Sequence, residues 1–330
     1  MTTPAIAILD DYQNVALGAA DWRGLEARAR IAVFHEPWPS EDALVAALAP
    51  FDILVLMRER TPFPASVIAR LPNLRLIALT GARTNTLDVA ACTARGIPVT
   101  HTTINPSTGA AELAFALILA CARGLPRAFT NMASGRWEED VRMGMPLVGK
   151  RLGILGLGQL GGEVARFGLA FKMDVVAWSD DMTPAAAAAH NVRMVDKAEL
   201  FATSDIITLH LVLSKPRSWH TVGRAELMSM KRGAILINAA RAGLVDTDAL
   251  MDVLTEGRIM AGLDVYDIEP LPPDHPLRKM PNVVLTPHLG YVVDDVFTYY
   301  YRDIVEDIEA WLDGRPIRIL DPEALRNAPP

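Results

Sequence analysis

The chain has 330 residues, 51% hydrophobic and 22% charged, with 32 basic against 39 acidic side chains and a net charge of −7. That is enough apolar chain for two domains of ordinary size, and the lack of any basic block argues against a nucleic-acid backbone as main partner. Only two cysteines occur, Cys92 and Cys121, with no CxxC or HExxH motif, so neither a disulfide framework nor a metal site is expected.

The N-terminus, MTTPAIAILDDY, lacks a charged region followed by a long apolar one and does not resemble a signal peptide. The longest apolar stretch, LAFALILACA, is too short to span a bilayer, so a cytoplasmic protein is expected. Four short apolar runs then read as strands: AIAIL (5–9), IAVF (31–34), DILVL (52–56) and LRLIAL (74–79). Between them SEDALVAALA reads as a helix capped by Ser40, and TLDVAACTARG as one stopped by Gly96. A long apolar helix is expected over 107–124, followed by a polar, irregular arm over 126–150. Six more strand candidates follow: RLGILGLG, MDVVAWS, DIITLHLVL, GAILINAA, MAGLDVY and NVVLTPH. PAAAAAH (184–190) reads as a helix start with an early Pro, and one amphipathic helix closes the series over 294–311. Strands alternating with helices predict α/β architecture, with parallel sheets flanked by helices.

GILGLGQLGGEVA places Gly156, Gly158 and Gly161 in GxGxxG spacing, after an apolar strand and at the start of a helix. The first glycine permits a tight turn, the second lets a pyrophosphate approach the backbone, and the third lets helix and strand pack closely. Gln159 and Leu160 open the helix whose N–H groups would face the phosphates. After the next strand come Ser179 and Asp180. An acidic residue there holds the ribose hydroxyls of NAD and repels the extra phosphate of NADP. Ser179 stands at the usual acidic position, with Asp180 one step beyond, so NAD is the expected cofactor and NADP stays open.

Three ionisable residues stand just past three strand candidates: Arg241 after ILINAA, Glu269 after GLDVYDI and His288 after NVVLTP. Ligands of open α/β sheets bind at the carboxyl ends of strands. The set suits hydride transfer on a 2-keto acid. A guanidinium grips a carboxylate through its planar fork and polarises the adjacent carbonyl. An imidazole donates a proton, and a carboxylate beside it orients the ring and favours its protonated form. Singly, each has a plainer reading: a surface Arg, a structural His, a Glu-Pro turn.

Over nearly its whole length the chain resembles the D-isomer-specific 2-hydroxyacid dehydrogenase family. GILGLGQLGGEVA is similar to its cofactor fingerprint, NAARAGLVD to its arginine motif, GLDVYDIEPLPPDHPL to its glutamate motif and LTPHLG to its histidine motif. The resemblance implies that Arg241 binds and polarises substrate, Glu269 supports the histidine and His288 is the acid/base. It adds His210, Ala239 and Asp264 to the cofactor side. It also implies two Rossmann-like domains: a flavodoxin-like, discontinuous substrate domain (1–103 and 291–330) around a dinucleotide-binding domain (104–290), with the two long helices as crossings. A homodimer through the cofactor domain is implied as well, with residues 126–150 as a fitting arm.

The chain departs from the family pattern in places. In TGARTNTLD, Gly81 and Ala82 match the family's substrate loop, whereas Arg83 replaces a small residue. Arg83 either points into solvent or supplies a second cation for a larger or more acidic substrate. Tyr291 follows HLG where a small residue is usual, and LMRERTPF (56–63) resembles another pocket loop, offering Arg58 or Arg60. Val212 stands where proline is common. The expected function is interconversion of a 2-keto acid and a D-2-hydroxy acid with NAD. The alternatives are a dinucleotide-sensing protein of the corepressor type and a phosphite dehydrogenase-like enzyme.

Overall fold

The computed structural model describes residues 3–103, 108–214 and 217–327. The chain divides into two compact units, one formed by Met1–Ser107 with Val292–Pro330, the other by Thr108–Tyr291. It passes between them just ahead of each of its two longest helices.

In the first unit, β1 (Ala5–Ile8), β2 (Arg30–Val33), β3 (Ile53–Leu56), β4 (Leu76–Leu79) and β5 (Val99–His101) form one sheet in the order β2-β1-β3-β4-β5. All pairs are parallel, with Ile6 opposite Ile53 and Ile53 opposite Leu76. This is the flavodoxin-like order. β1, β3 and β4 are buried throughout, which is why they read as unbroken apolar runs. The helix Glu41–Leu48 begins where Ser40 accepts the Ala43 N–H at 3.2 Å. The helix expected from Thr86 starts later, at Val89, because Asp88 caps it by accepting the Ala91 N–H. Helix Asp294–Leu312 packs on β4 and β5.

The second unit holds β6 (Arg151–Leu155), β7 (Asp174–Trp178), β8 (Arg193–Met194), β9 (Ile206–Leu209), β10 (Ile235–Asn238), β11 (Met260–Leu263) and β12 (Val283–Leu285). They run parallel in the order β8-β7-β6-β9-β10-β11-β12. That is the dinucleotide-fold order 3-2-1-4-5-6 with one strand added, and its order reverses between β6 and β9. One face is covered by a cluster holding Phe201, Leu227, Leu244 and Leu254. The other is covered by a cluster holding Phe115, Ile118, Val164 and Ala165.

Two further segments differ from expectation. The long helix runs Gly109–Arg123; the start expected at Ser107 lies outside the described residues. Gly124, at φ +64, ends it, and a second helix, Leu125–Ala133, follows at a bend of 72° with Pro126 in its first turn. The arm expected over 126–150 is therefore helical in its first part: glycine breaks one helix and proline starts the next. Among the described residues no single helix is long and apolar enough to cross a membrane, and no group of His, Cys, Asp or Glu could hold a metal ion.

Candidate active site

The glycine loop joins β6 to the helix Gln159–Ala170 at the point where the sheet order reverses. Gly156 has φ +92 and donates its N–H to the Trp178 carbonyl at 2.9 Å. A Cβ there would lie 2.8 Å from the His210 backbone. Gly158 is exposed, and a Cβ on it would meet nothing within 4 Å, so open space stands before the backbone. It opens the helix with no side-chain cap, and a helix N-terminus of this kind suits a phosphate. Gln159 is exposed and Leu160 half-buried beside this opening. These residues fit a pyrophosphate. Gly161 is the tightest position, since a Cβ would sit 2.0 Å from the Gly156 carbonyl oxygen. Gly161→Ala is expected to distort the loop and weaken NAD⁺ binding at least tenfold; calorimetric titration with an unchanged Kd would contradict the assignment.

Ser179 and Asp180 follow β7, half-buried and exposed respectively. His210 follows β9. Its Nε2 meets the Thr208 hydroxyl at 2.9 Å, and burial pushes its pKa down to about 4, so it is neutral at pH 7.

β10 is fully buried and ends at Asn238. The Asn238 side chain accepts the Ala240 N–H at 3.1 Å and donates to the Arg241 carbonyl at 2.9 Å. This local side-chain turn lifts the chain off the sheet and sets Arg241 at its edge, with extended backbone. Ala239 lies inside the turn, packed against the core. The apolar run therefore ends in a cation because a buried asparagine shapes the turn that presents it.

The neighbouring strands carry the other two groups. His288 Nδ1 lies 2.6 Å from Glu269 Oε2, and both side chains are about one-fifth exposed. The other Glu269 oxygen accepts the Tyr266 N–H at 3.0 Å, so the carboxylate is fixed at both ends. A carboxylate only accepts, which makes Nδ1 the protonated nitrogen and Nε2 the one whose proton can be exchanged with a reacting group. His288 itself sits at φ +56. Its loop is held by Asp264, which is fully buried and accepts the Thr286 hydroxyl (2.6 Å), the Leu289 N–H (2.7 Å) and the Gly290 N–H (3.0 Å). Burial raises the Asp264 pKa, against these bonds. Tyr291 is buried and presents its ring edge-on to His288, centroids 5.8 Å apart. Arg241, Glu269 and His288 thus stand at the carboxyl ends of β10, β11 and β12, three adjacent strands.

The remaining candidates lie in the first unit, at the carboxyl ends of β3 and β4. Arg58, at φ +51, donates its backbone N–H to the Thr80 hydroxyl and its guanidinium to the Tyr300 hydroxyl at 2.6 Å. Gly81, at φ +80, donates its N–H to the Thr102 hydroxyl at 2.7 Å. Ala82 and Arg83 are exposed.

Sequence reasoning did not single out Asn238, Tyr266 or Thr286. Tyr266 donates its hydroxyl to the Leu263 and Thr286 carbonyls, tying the ends of β11 and β12 together. Asn238 carried a local signal, a polar residue closing a buried strand; the other two act through contacts distant in sequence.

Residues 115–290 match the family model described as the NAD binding domain of the D-isomer specific 2-hydroxyacid dehydrogenases. The chain is 37% identical over 283 residues to a D-3-phosphoglycerate dehydrogenase of Archaeoglobus fulgidus, covering 84% of this chain and 53% of that protein. It thus spans about half the length of the curated D-3-phosphoglycerate dehydrogenases it matches. A hydroxypyruvate reductase of Thermotoga maritima is 38% identical, with 76% of this chain and 81% of that one covered. The solved phosphoglycerate oxidoreductase of Vibrio cholerae O395 superposes with a TM-score of 0.89 at 36% identity, covering 94% and 99% of the two chains. NAD is the cofactor of the matched domain. With family model, relatives and fold in agreement, this chain belongs to the D-isomer-specific 2-hydroxyacid dehydrogenase family.

Proposed function

We propose that the protein is an NAD-dependent oxidoreductase that interconverts a 2-keto acid and a D-2-hydroxy acid. The observation that carries this reading is the grouping of Arg241 and the Glu269–His288 pair on the edge of the sheet that also carries the glycine loop. The Thr108–Tyr291 unit carries both the glycine loop and these three residues. The relatives named as D-3-phosphoglycerate dehydrogenase, hydroxypyruvate reductase and glyoxylate reductase all act on acids with oxygen at carbon 2, which supports the substrate class.

In the reductive direction bound NADH supplies a hydride to the carbonyl carbon. Arg241 holds the substrate carboxylate and draws electron density toward the adjacent carbonyl oxygen. His288 gives that oxygen a proton from Nε2, while Glu269 carries the positive ring through Nδ1. In oxidation the proton returns to Nε2. Tyr291 and Glu269 hold the ring from two sides, so its angle is set before substrate arrives. The test is loss of reduced-nicotinamide absorbance with glyoxylate, hydroxypyruvate, pyruvate, phenylpyruvate and oxaloacetate. Turnover of any one supports the reading; tight NADH binding with none turned over, across a widened panel of keto acids, removes it.

We also propose a homodimer through the cofactor unit. Its bent arm exposes Phe129, Met132, Trp137, Met143 and Val148, each more than half accessible. So many large apolar side chains on one short stretch mark a surface that another protein covers. Phe129→Asp with Trp137→Asp is expected to halve the mass seen in sedimentation equilibrium; a monomeric parent protein would remove the proposal.

A further inference from the structure

We propose that the Arg217–Asp181 pair sets which dinucleotide the second unit takes, with Asp181 engaging the guanidinium that would otherwise meet a 2′-phosphate. The inference rests on the reading of the glycine loop as a dinucleotide site. Asp181 lies in the loop after β7 and Arg217 in the loop after β9. β6 runs between those two strands, so their loops flank the glycine loop on either side. The Arg217 guanidinium meets Asp181 Oδ2 at 2.5 Å, joining the two loops across that position.

The end of β7 is where this fold meets the adenosine ribose. Four groups stand there or reach it: the Ser179 hydroxyl, the Asp180 and Asp181 carboxylates and the Arg217 guanidinium. Two carboxylates against one guanidinium leave a net negative charge. A ribose diol finds acceptors in such a setting. A 2′-phosphate, carrying nearly two negative charges, is repelled by both acids and finds its one counter-ion engaged.

The pair is not a device for stability. Its side chains are 64% and 80% exposed, and pairs so exposed contribute little to folding. Its effect falls on whatever charge approaches the ribose position. Without the Asp181 carboxylate, one repulsion disappears and the guanidinium turns into a fork suited to phosphate oxygens.

Direct binding of NAD⁺ and of NADP⁺ is to be measured by calorimetry for the parent protein, Asp181→Asn, and Asp181→Asn with Arg217→Ala. The parent is expected to favour NAD⁺. Asp181→Asn is expected to bind NADP⁺ at least tenfold more tightly, with NAD⁺ changed less than threefold, and the added Arg217→Ala to cancel that gain. An Asp181→Asn variant whose NADP⁺ to NAD⁺ affinity ratio stays within twofold of the parent would overturn the proposal, as would a gain that survives loss of Arg217. NAD⁺ binding by the parent separates the two readings: if it is absent, the dinucleotide site itself is wrong; if it is present with an unmoved ratio, only the role of the pair is.

Discussion

His288→Asn is expected to bind NADH as the parent does and to reduce keto acids about 10²–10⁴ times more slowly, the range a positioned general acid contributes. The loss should fall on kcat, because the imidazole proton is needed as charge builds on the substrate oxygen and matters less before then. The surrounding loop should survive, since its shape comes from Asp264 accepting the Leu289 and Gly290 N–H groups and not from the imidazole. Glu269→Gln is the companion test. A glutamine can still accept the Tyr266 N–H with its oxygen. Its amide nitrogen then faces Nδ1 and can only donate, which turns the ring to the other neutral tautomer and withdraws the charge that supported the imidazolium. Turnover in reduction should fall while NADH affinity holds. A merely structural glutamate would lower thermal stability and leave kcat in place. The measurement is kcat, kcat/KM and melting temperature for both variants. A His288→Asn enzyme within tenfold of the parent kcat would sink the acid/base assignment.

What could be read from the chain alone followed from how its signals are encoded. Buried parallel strands such as β3, β4 and β10 are continuous apolar runs, and capping residues such as Ser40 announce helices, so both were legible. β5 and β8 were not. They have three and two residues, too few to show a pattern, and they form only because a longer parallel neighbour offers its hydrogen bonds. The helix Leu125–Ala133 was hidden by composition: its outward face is apolar at Phe129 and Met132, the reverse of an ordinary surface helix. At the site, Arg241, Glu269 and His288 were visible because each follows a strand that predicts itself. Their supports were not. The resemblance puts Asp264 on the cofactor side, but gives no sign that its oxygens also hold the loop that carries His288, over 20 residues away in sequence. Such pairing is decided by sheet order, and sheet order emerges only when all seven strands are assembled.

Arg241→Lys is expected to lower kcat/KM for the keto acid by about one to two orders of magnitude, the equivalent of a charged hydrogen bond lost in a partly buried site. The residue keeps its charge in this exchange, so the loss isolates geometry: a planar fork meets both carboxylate oxygens at once, whereas an ammonium meets one point. The local fold should tolerate it. The turn depends on Asn238, which bonds the backbone carbonyl of residue 241 and the N–H of Ala240, and neither bond involves the guanidinium. Among its contacts the guanidinium donates to the neighbouring Ala240 carbonyl at 2.7 Å. The melting temperature should therefore move little, and NADH affinity should hold. A second substrate sharpens the test. The parent enzyme should strongly prefer a keto acid over the matching keto amide, which lacks the carboxylate, and Arg241→Ala should erase most of that preference by slowing the acid far more than the amide. If Arg241→Lys kept kcat/KM within twofold, or if Arg241→Ala slowed acid and amide alike, the residue would not be the carboxylate clamp.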